Sequence, residues 1–384
     1  MADASHQFVH LHVHSQFSLL DGACRTADLV ERAKELNQEA VAITDHGCLF
    51  GVIDFYQKAV AAGVKPIVGI EAYMAPGSRS DRTSTGVKDG GYHLLLLAKD
   101  IEGYRNLLKL GSIAYTEGFY YKPRIDKETL KAHAKGLICT SACLGGEIPS
   151  ALMADNRKKA REIAETYLEV FGPDHFFIEV QKHIVEQDQV NPELIDLADK
   201  LGIGVVATND VHFLKEDDHG PHNALCCIST GKLLTDESRL IYPTQLYLKS
   251  SEEMYAASDL RRWTEACENS LRIARMCNLE LNFKTSYAPA VRIEVGSGQV
   301  TGKITPSPLP SPEGRGSGEA DRWSSGQVTE EDTTSRGAKI DSNSILTSHS
   351  ATWPLDHLAT SLPIGSTLWY QAFCAGSNCN PLMR

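Results

Sequence analysis

Several features that would narrow the class of this chain are missing from its 384 residues. No apolar run approaches the roughly 18 residues of a membrane span, and the polar N-terminus lacks the apolar core of a signal peptide. That predicts no membrane partner. None of the 10 cysteines stands in a CxxC pair or at a disulfide-like spacing, and the adjacent Cys226-Cys227 are geometrically poor partners for each other. The cysteine usage therefore predicts a reducing cytoplasm, with most thiols serving as small apolar core groups. Also missing is a Lys/Arg cluster with interleaved aromatics. With a net charge of -11, the chain repels nucleic acid unless a local basic patch or bound cations intervene. If a phosphate backbone is handled here, bound metal must do much of the neutralising.

What is present is the material of a large α/β domain. The chain is 42% hydrophobic and 23% charged, enough for one large core or two smaller ones. To about Tyr287, short apolar runs alternate with helical patterns. The runs Phe8–Val13, Ala40–Thr44, Pro66–Tyr73, Tyr92–Ala98, Gly136–Thr140, His175–Val180 and Ile203–Thr208 predict strands. Helices are expected over Thr26–Asn37, over Asp155–Phe171 with Asp155 as N-cap, and over Pro192–Leu201. Ser258–Cys277 reads as a further helix, packing outside the main body. The order strand-then-helix predicts a parallel arrangement, and about seven strands favour a barrel over an open sheet. The Gly/Ser-rich stretch Met74–Gly91 reads as a loop. Near Ala290 the composition shifts to Gly, Ser, Pro, Thr and Glu without periodicity, which cannot bury enough apolar surface to offset ordering entropy. The chain is therefore expected to divide into a folded domain over residues 1–289 and a tail, 290–384, in which Cys374 and Cys379 are at best a weak metal signal.

The stretch Phe8-Val9-His10-Leu11-His12-Val13-His14-Ser15 organises the candidate site. On a strand, His10, His12 and His14 would project together while Val9, Leu11 and Val13 face a core. Imidazoles so placed can bind metal, although a solvent-facing strand can also carry histidine. Parallel barrels gather functional groups at strand C-terminal ends. There the chain offers Asp45-His46, Glu71, His93, Cys143 and the pair Asp210-x-His212. Taken singly each has a dull explanation: a turn, a surface carboxylate, a half-buried histidine, a small core thiol. Five strand ends delivering His, Asp, Glu or Cys together match the ligand types of zinc and similar metals. The set exceeds what one tetrahedral ion needs, so two or three divalent ions (Zn, or else Mn or Fe) are expected, clamping a phosphate and activating water for phosphoester hydrolysis.

At these residues a resemblance appears. HLHVHSQFSLLDGA, AVAITDHGCLFGVIDFYQKA, GVKPIVGIEAYMA, DGGYHLLLLAKDIEGYRNLLKL, EGFYYKPRIDKETL, SACLGGEIP, VATNDVHFL and ENSLRIARMCNLEL resemble the N-terminal PHP (polymerase and histidinol phosphatase) domain of bacterial DNA polymerase III alpha subunits, the C-family replicative polymerases. The resemblance runs from about Phe8 to Tyr287. It implies a distorted (β/α)7 barrel and a trinuclear site carried by His12, His14, Asp21, His46, Glu71, His93, Cys143, Asp210 and His212. Asp210, His212 and Glu71 are the residues expected at the chemistry. Asp45 is expected to orient His46, and the role of His10 stays open, since stand-alone PHP enzymes usually have Asp there. The resemblance also implies 3′–5′ exonuclease action on DNA 3′ ends, with other polymerase III core subunits as partners. No palm segment with its paired aspartates follows Pro289, so a truncated alpha subunit without polymerase activity is expected. A stand-alone small-molecule phosphatase of the histidinol-phosphatase kind and a non-catalytic scaffold are the alternatives.

Overall fold

A computed structural model describes residues 7–83, 87 and 90–285. The expected tail, with Cys374 and Cys379, lies outside the described residues, as does part of the loop expected between Met74 and Gly91. Among the described residues seven strands form one sheet: β1 (Ala40–Ile43), β2 (Lys65–Met74), β3 (Tyr92–Ala98), β4 (Arg124–Ile125), β5 (Leu137–Thr140), β6 (Phe176–Val180) and β7 (Gly204–Ala207). Their order is β1-β2-β3-β5-β6-β7, with the short β4 paired to the end of β2. The helices are α1 (Thr26–Glu35), α2 (Val52–Ala62), α3 (Ile101–Thr116), α4 (Lys127–Ala132), α5 (Glu147–Met153), α6 (Arg157–Phe171), α7 (Val185–Leu201), α8 (His219–Thr230), α9 (Ser251–Ala256) and α10 (Trp263–Met276).

The first expected strand, Phe8–Val13, does not form a regular strand, yet its backbone completes the ring. Ala42 N donates to His10 O (2.9 Å) and Thr44 N to Val13 O (2.9 Å), while His14 N donates to Val211 O (2.7 Å) and Val211 N to His12 O (3.0 Å). The segment thus bridges β1 on one side and the residues after β7 on the other. It bends at His12. Val9 and Leu11 pack with Ala42, Ile67, Leu97, Phe177 and Val206, whereas Val13 packs in a second core with Phe8, Val41, Val68 and Ile178. The simple alternation expected for this stretch therefore holds only to Leu11. The result is the distorted α/β barrel that the sequence implied.

β3 departs from the parallel expectation: it is antiparallel to both β2 and β5. The reason is local. A parallel return needs a crossover, usually a helix, and among the described residues no helix separates β2 from β3. Gly69 on β2 pairs with Leu97 on β3, and a Cβ there would sit 2.5 Å from Leu96 O.

Two further boundaries shift. α6 is capped by the Asn156 side chain, which accepts from Lys159 N (3.1 Å), and not by Asp155. α7 begins at Val185, well before Pro192; the Gln187 side chain in its first turn reaches back to accept from His183 N (2.7 Å) and from the N-cap Ile184 N (3.2 Å) and so fixes the start. Pro192 then sits inside the helix.

The expected helix at Ser258–Cys277 appears as α10, and it closes one end of the barrel. Ile273, Ala274 and Cys277 join Val9, Ala40, Ile67 and Phe177 in the interior cluster. Val9 N donates to Ser270 Oγ (3.0 Å) and Asn269 Nδ2 to Val205 O (2.8 Å). From that plugged end the inward-facing rows change character: Ile67 to Glu71 on β2, Phe177 to Glu179 on β6, and Val206 on β7 to Thr208 just past it. Side chains two apart share a face, so each strand carries its apolar anchor at one end and a polar group at the other.

Candidate metal centre

The polar end collects the candidate ligands. Glu71, near the end of β2, is central and 1% exposed. Its Oε1 lies 3.2 Å from His12 Nε2 and 2.8 Å from His93 Nδ1, and its Oε2 lies 2.6 Å from His46 Nδ1 and 3.6 Å from His14 Nε2. His93 reaches this end from the start of β3, not from a strand C-terminus, because β3 runs in reverse. Cys143 Sγ is 3.5 Å from His93 Nδ1 and 3.7 Å from Glu71 Oε1. Asp210 Oδ1 lies 3.1 Å from His14 Nε2 and 3.2 Å from His12 Nε2. Asp21 Oδ1 is 3.5 Å from His46 Nε2. His212 lies beside His14, its ring tilted by 34° and the centroids 4.4 Å apart. All nine residues that the resemblance implied meet here. His10 does not: its Nε2 pairs with Lys249 O at 2.9 Å, and its ring packs edge-on to Phe8.

Hydrogen bonding on the outer side fixes which imidazole nitrogens face inward. His12 Nδ1 donates to Glu179 Oε1 (2.8 Å), so its Nε2 presents a lone pair to the two carboxylates. Ser18 Oγ donates to Asp45 Oδ1 (2.8 Å), so His14 Nδ1 must donate to Ser18 Oγ (3.1 Å) and His14 Nε2 is likewise bare. His212 Nδ1 donates to Asp210 O (2.7 Å), leaving its Nε2 buried without a partner. Lone pairs thus face carboxylate oxygens at hydrogen-bond distance, an arrangement that only a proton or a cation between them can stabilise.

The electrostatics agree. Burial opposes charge on His12 and His46, but Asp210, Glu179 and Glu71 around the first, and Asp21 and Glu71 around the second, outweigh it and hold both well above the ordinary imidazole value. Burial disfavours the ionised carboxylates, yet the surrounding imidazoles hold Glu71, Asp210 and Asp21 well below the usual range. His14, buried and beside His46 and His212, is pushed down to about 3. Burial, with Glu71 and Asp210 facing it, pushes the Cys143 thiol up.

The donor set fits metal. Buried atoms without a hydrogen-bond partner include His12 Nε2, Asp21 Oδ1, His46 Nδ1, Glu71 Oε2 and His212 Nε2, a concentration that ordinary cores avoid. Three overlapping triads, His14-His46-His212, His12-His14-Glu71 and His46-Glu71-His93, each bring their donor atoms within 4.8 Å of one another. Shared members suit more than one ion.

Local backbone geometry serves the site. Asp210 has φ 47° and Ala142, next to Cys143, φ 57°, left-handed values that cost roughly 1 kcal/mol or more outside glycine. At Gly47 (φ +62°) a Cβ would lie 2.7 Å from Pro123 Cγ, so the turn after His46 requires glycine.

Asp45 does not touch His46 as expected. Its carboxylate accepts from Ser15 N (2.6 Å), Ser15 Oγ (2.8 Å) and Ser18 Oγ (2.8 Å). Ser18 Oγ in turn accepts from His46 N (3.1 Å), so Asp45 acts on His14 and His46 through Ser18. Sequence reasoning missed two residues. Glu179 is a lone carboxylate in the apolar run Phe176–Val180, a signal that was legible. Tyr242, whose Oη donates to Asp21 Oδ2 (2.8 Å), comes from an irregular segment with no pattern to mark it.

Residues 10–183 match the PHP domain. The chain is 49% identical over 276 residues to the DNA polymerase III subunit alpha of Treponema pallidum, covering 71% of this chain and 23% of that protein. It is 49% identical over 281 residues to that of Thermus aquaticus, covering 72% and 23%, and 46% identical over 293 residues to that of Borreliella burgdorferi, covering 75% and 25%. The chain therefore spans about a quarter of the length of the curated relatives it matches. Among solved structures, an amidohydrolase from Chromobacterium violaceum covers 53% of this chain and 87% of its own at 16% identity, with a TM-score of 0.33.

Proposed function

As a chain that carries a PHP domain of the DNA polymerase III alpha type, this protein is, we propose, a metal-dependent phosphoesterase acting as a 3′–5′ exonuclease on DNA. The observation that carries this reading is Glu71, a buried carboxylate faced by four imidazoles and a thiol. His12, His14, Asp21, His46, Glu71, His93, Cys143, Asp210 and His212 would hold two or three divalent ions, of which zinc, manganese and iron suit the donors. When bound, such ions supply Lewis-acid activation of water and neutralisation of a phosphate in displacement. The protein's own contribution is placement. Glu179, Ser18 and the Asp210 carbonyl orient the imidazoles of His12, His14 and His212, and Tyr242 orients Asp21. No serine or cysteine nucleophile is needed.

DNA 3′ ends as substrate, core subunits as partners and a cytoplasmic setting are all carried by the relatives' identity. No described helix is long and apolar enough to cross a membrane. Nucleotidyl transfer is not part of the proposal for this chain, which spans about a quarter of the length of the polymerase subunits it matches; dNTP incorporation in a primer-extension assay would overturn that. The main test compares a labelled single-stranded oligonucleotide with histidinol phosphate and p-nitrophenyl phosphate. Release of 3′ nucleotides, lost in Asp210→Ala, is expected. Hydrolysis of the small monoesters alone would favour the phosphatase reading, and loss of fold on chelation without any hydrolysis would favour a scaffold.

A further inference from the structure

We propose that a cavity of about 610 Å³ beside the metal centre, walled in part by Lys182, His183, Asp188, Tyr247, Lys249 and Glu253, is a subsite for a phosphodiester group of the strand being processed. The inference rests on the phosphoesterase reading for its substrate class, and on Lys249 and His183 for its chemistry.

Lys249 is 4% exposed, and its ammonium makes no hydrogen bond or ion pair among the described residues. The Tyr247 ring lies 5.3 Å from Nζ to the centroid, and Glu253 and Glu216 are the carboxylates whose charge acts on it. The nearby carboxylates are engaged elsewhere. Glu253 accepts from Tyr247 Oη (2.8 Å) and Ser250 N (2.6 Å), Glu216 accepts from Gln245 Nε2 (3.0 Å), and Asp188 pairs with Lys182. The ammonium is not one of the buried polar atoms left without a partner, so it opens onto the cavity, where a ligand anion would meet it.

His183 supplies a second donor. Gln187 Oε1 accepts from His183 N and Ile184 N, so its amide nitrogen is the group facing His183 Nε2 at 2.9 Å. Nε2 then accepts, the ring proton sits on Nδ1, and Nδ1 is buried with no acceptor. The cavity therefore presents the Lys249 ammonium, beside a wall residue, His183, whose buried N–H lacks an acceptor, while the wall carboxylates Asp188 and Glu253 already hold partners. Its volume falls in the range of ligand pockets.

Two elements tie the cavity to the metal centre. Gln181, two residues before His183, donates from Nε2 to Glu179 Oε1 (2.9 Å), the oxygen that holds His12. Asn209, the neighbour of Asp210, donates from Nδ2 to Gln245 O (2.7 Å) and Tyr247 O (2.8 Å) on the cavity wall. A strand with one phosphate at the metal centre would place another along this wall.

The test measures binding of a short labelled single-stranded oligonucleotide with phosphorothioate linkages to the full chain by fluorescence anisotropy across a series of salt concentrations. Lys249→Gln should weaken binding roughly tenfold, as loss of a charge-assisted hydrogen bond implies. It should also flatten the plot of log affinity against log salt by about 0.7, the value for one phosphate contact on a single strand. Lys249→Arg should restore both, and Lys158→Gln, on the exposed face of α6, should change neither. Unchanged affinity and slope in a folded Lys249→Gln protein, or inorganic phosphate competing as strongly as the oligonucleotide, would overturn the subsite. If Lys249→Gln does not fold, His183→Gln decides on the same affinity readout. Should the chain bind strand through Lys249 yet hydrolyse nothing, the phosphoesterase reading fails and the subsite stands; hydrolysis that persists with binding indifferent to Lys249 is the reverse.

Discussion

Glu179 Oε1 lies 2.8 Å from His12 Nδ1, and both side chains are fully buried. The same carboxylate also accepts from Gln181 Nε2 and from the hydroxyls of Thr140 and Thr208, so three strand ends hold one ligand's orientation. Glu179→Gln should keep the fold and lower metal affinity by roughly 10- to 100-fold, the usual effect of losing such an outer partner. Competition with a chromophoric chelator measures it, and unchanged affinity would show that His12 needs no orienting group.

Metal removal should lower thermal stability. Nine donors from several segments share one space, so a bound ion links elements far apart in sequence. Zinc or manganese at a hundred times its dissociation constant should add about 2.7 kcal/mol by mass action. Differential scanning fluorimetry with and without chelator reads this. Asp210→Asn should show a smaller metal-dependent shift; an equal shift would mean that the metal sits elsewhere.

Asp45→Asn addresses the Ser15–Ser18 turn. One amide replaces a carboxylate that accepts three hydrogen bonds, so a loss of about 1–3 kcal/mol is expected. Metal affinity should fall as well, since Ser18 orients both His14 and the His46 backbone. Urea unfolding and metal titration on the same variant separate the two effects. A stability loss with no change in metal affinity would leave Ser18 a purely structural group.

His10 predicts a pH dependence. Burial lowers its imidazole from 6.5 to about 4. Between these values the unfolded chain takes up a proton that the native ring refuses, so the unfolded state binds more protons and stability falls as pH drops from 6.5 toward 4. One such group contributes up to about 1.4 kcal/mol per pH unit. Urea unfolding across this range should show a shallower pH slope in His10→Gln than in the parent. Parallel slopes would mean that His10 is protonated in the native state.

Gly103 in the first turn of α3 lies against the loop between α4 and β5; a Cβ there would sit 1.9 Å from Gly136 O. Gly103→Ala should destabilise by about 1–3 kcal/mol through overpacking, although alanine favours helix. A stabilised variant would show that the loop yields freely.

Read without coordinates, the chain determined a good deal. The strand runs from Ala40 to Thr208 and the stripes of α1, α6 and α10 follow from hydrophobic period, which depends only on local order. The ligand types at the strand ends were legible for the same reason, because polar residues interrupting apolar runs stand out one by one. What needed the tertiary structure was direction and convergence. The reversal of β3 places His93 at the mouth, the bend at His12 separates His10 from His12 and His14, and Tyr242 reaches Asp21 across more than two hundred positions. Those outcomes depend on which backbones pair and which donors find acceptors in space, and a linear pattern carries no term for either.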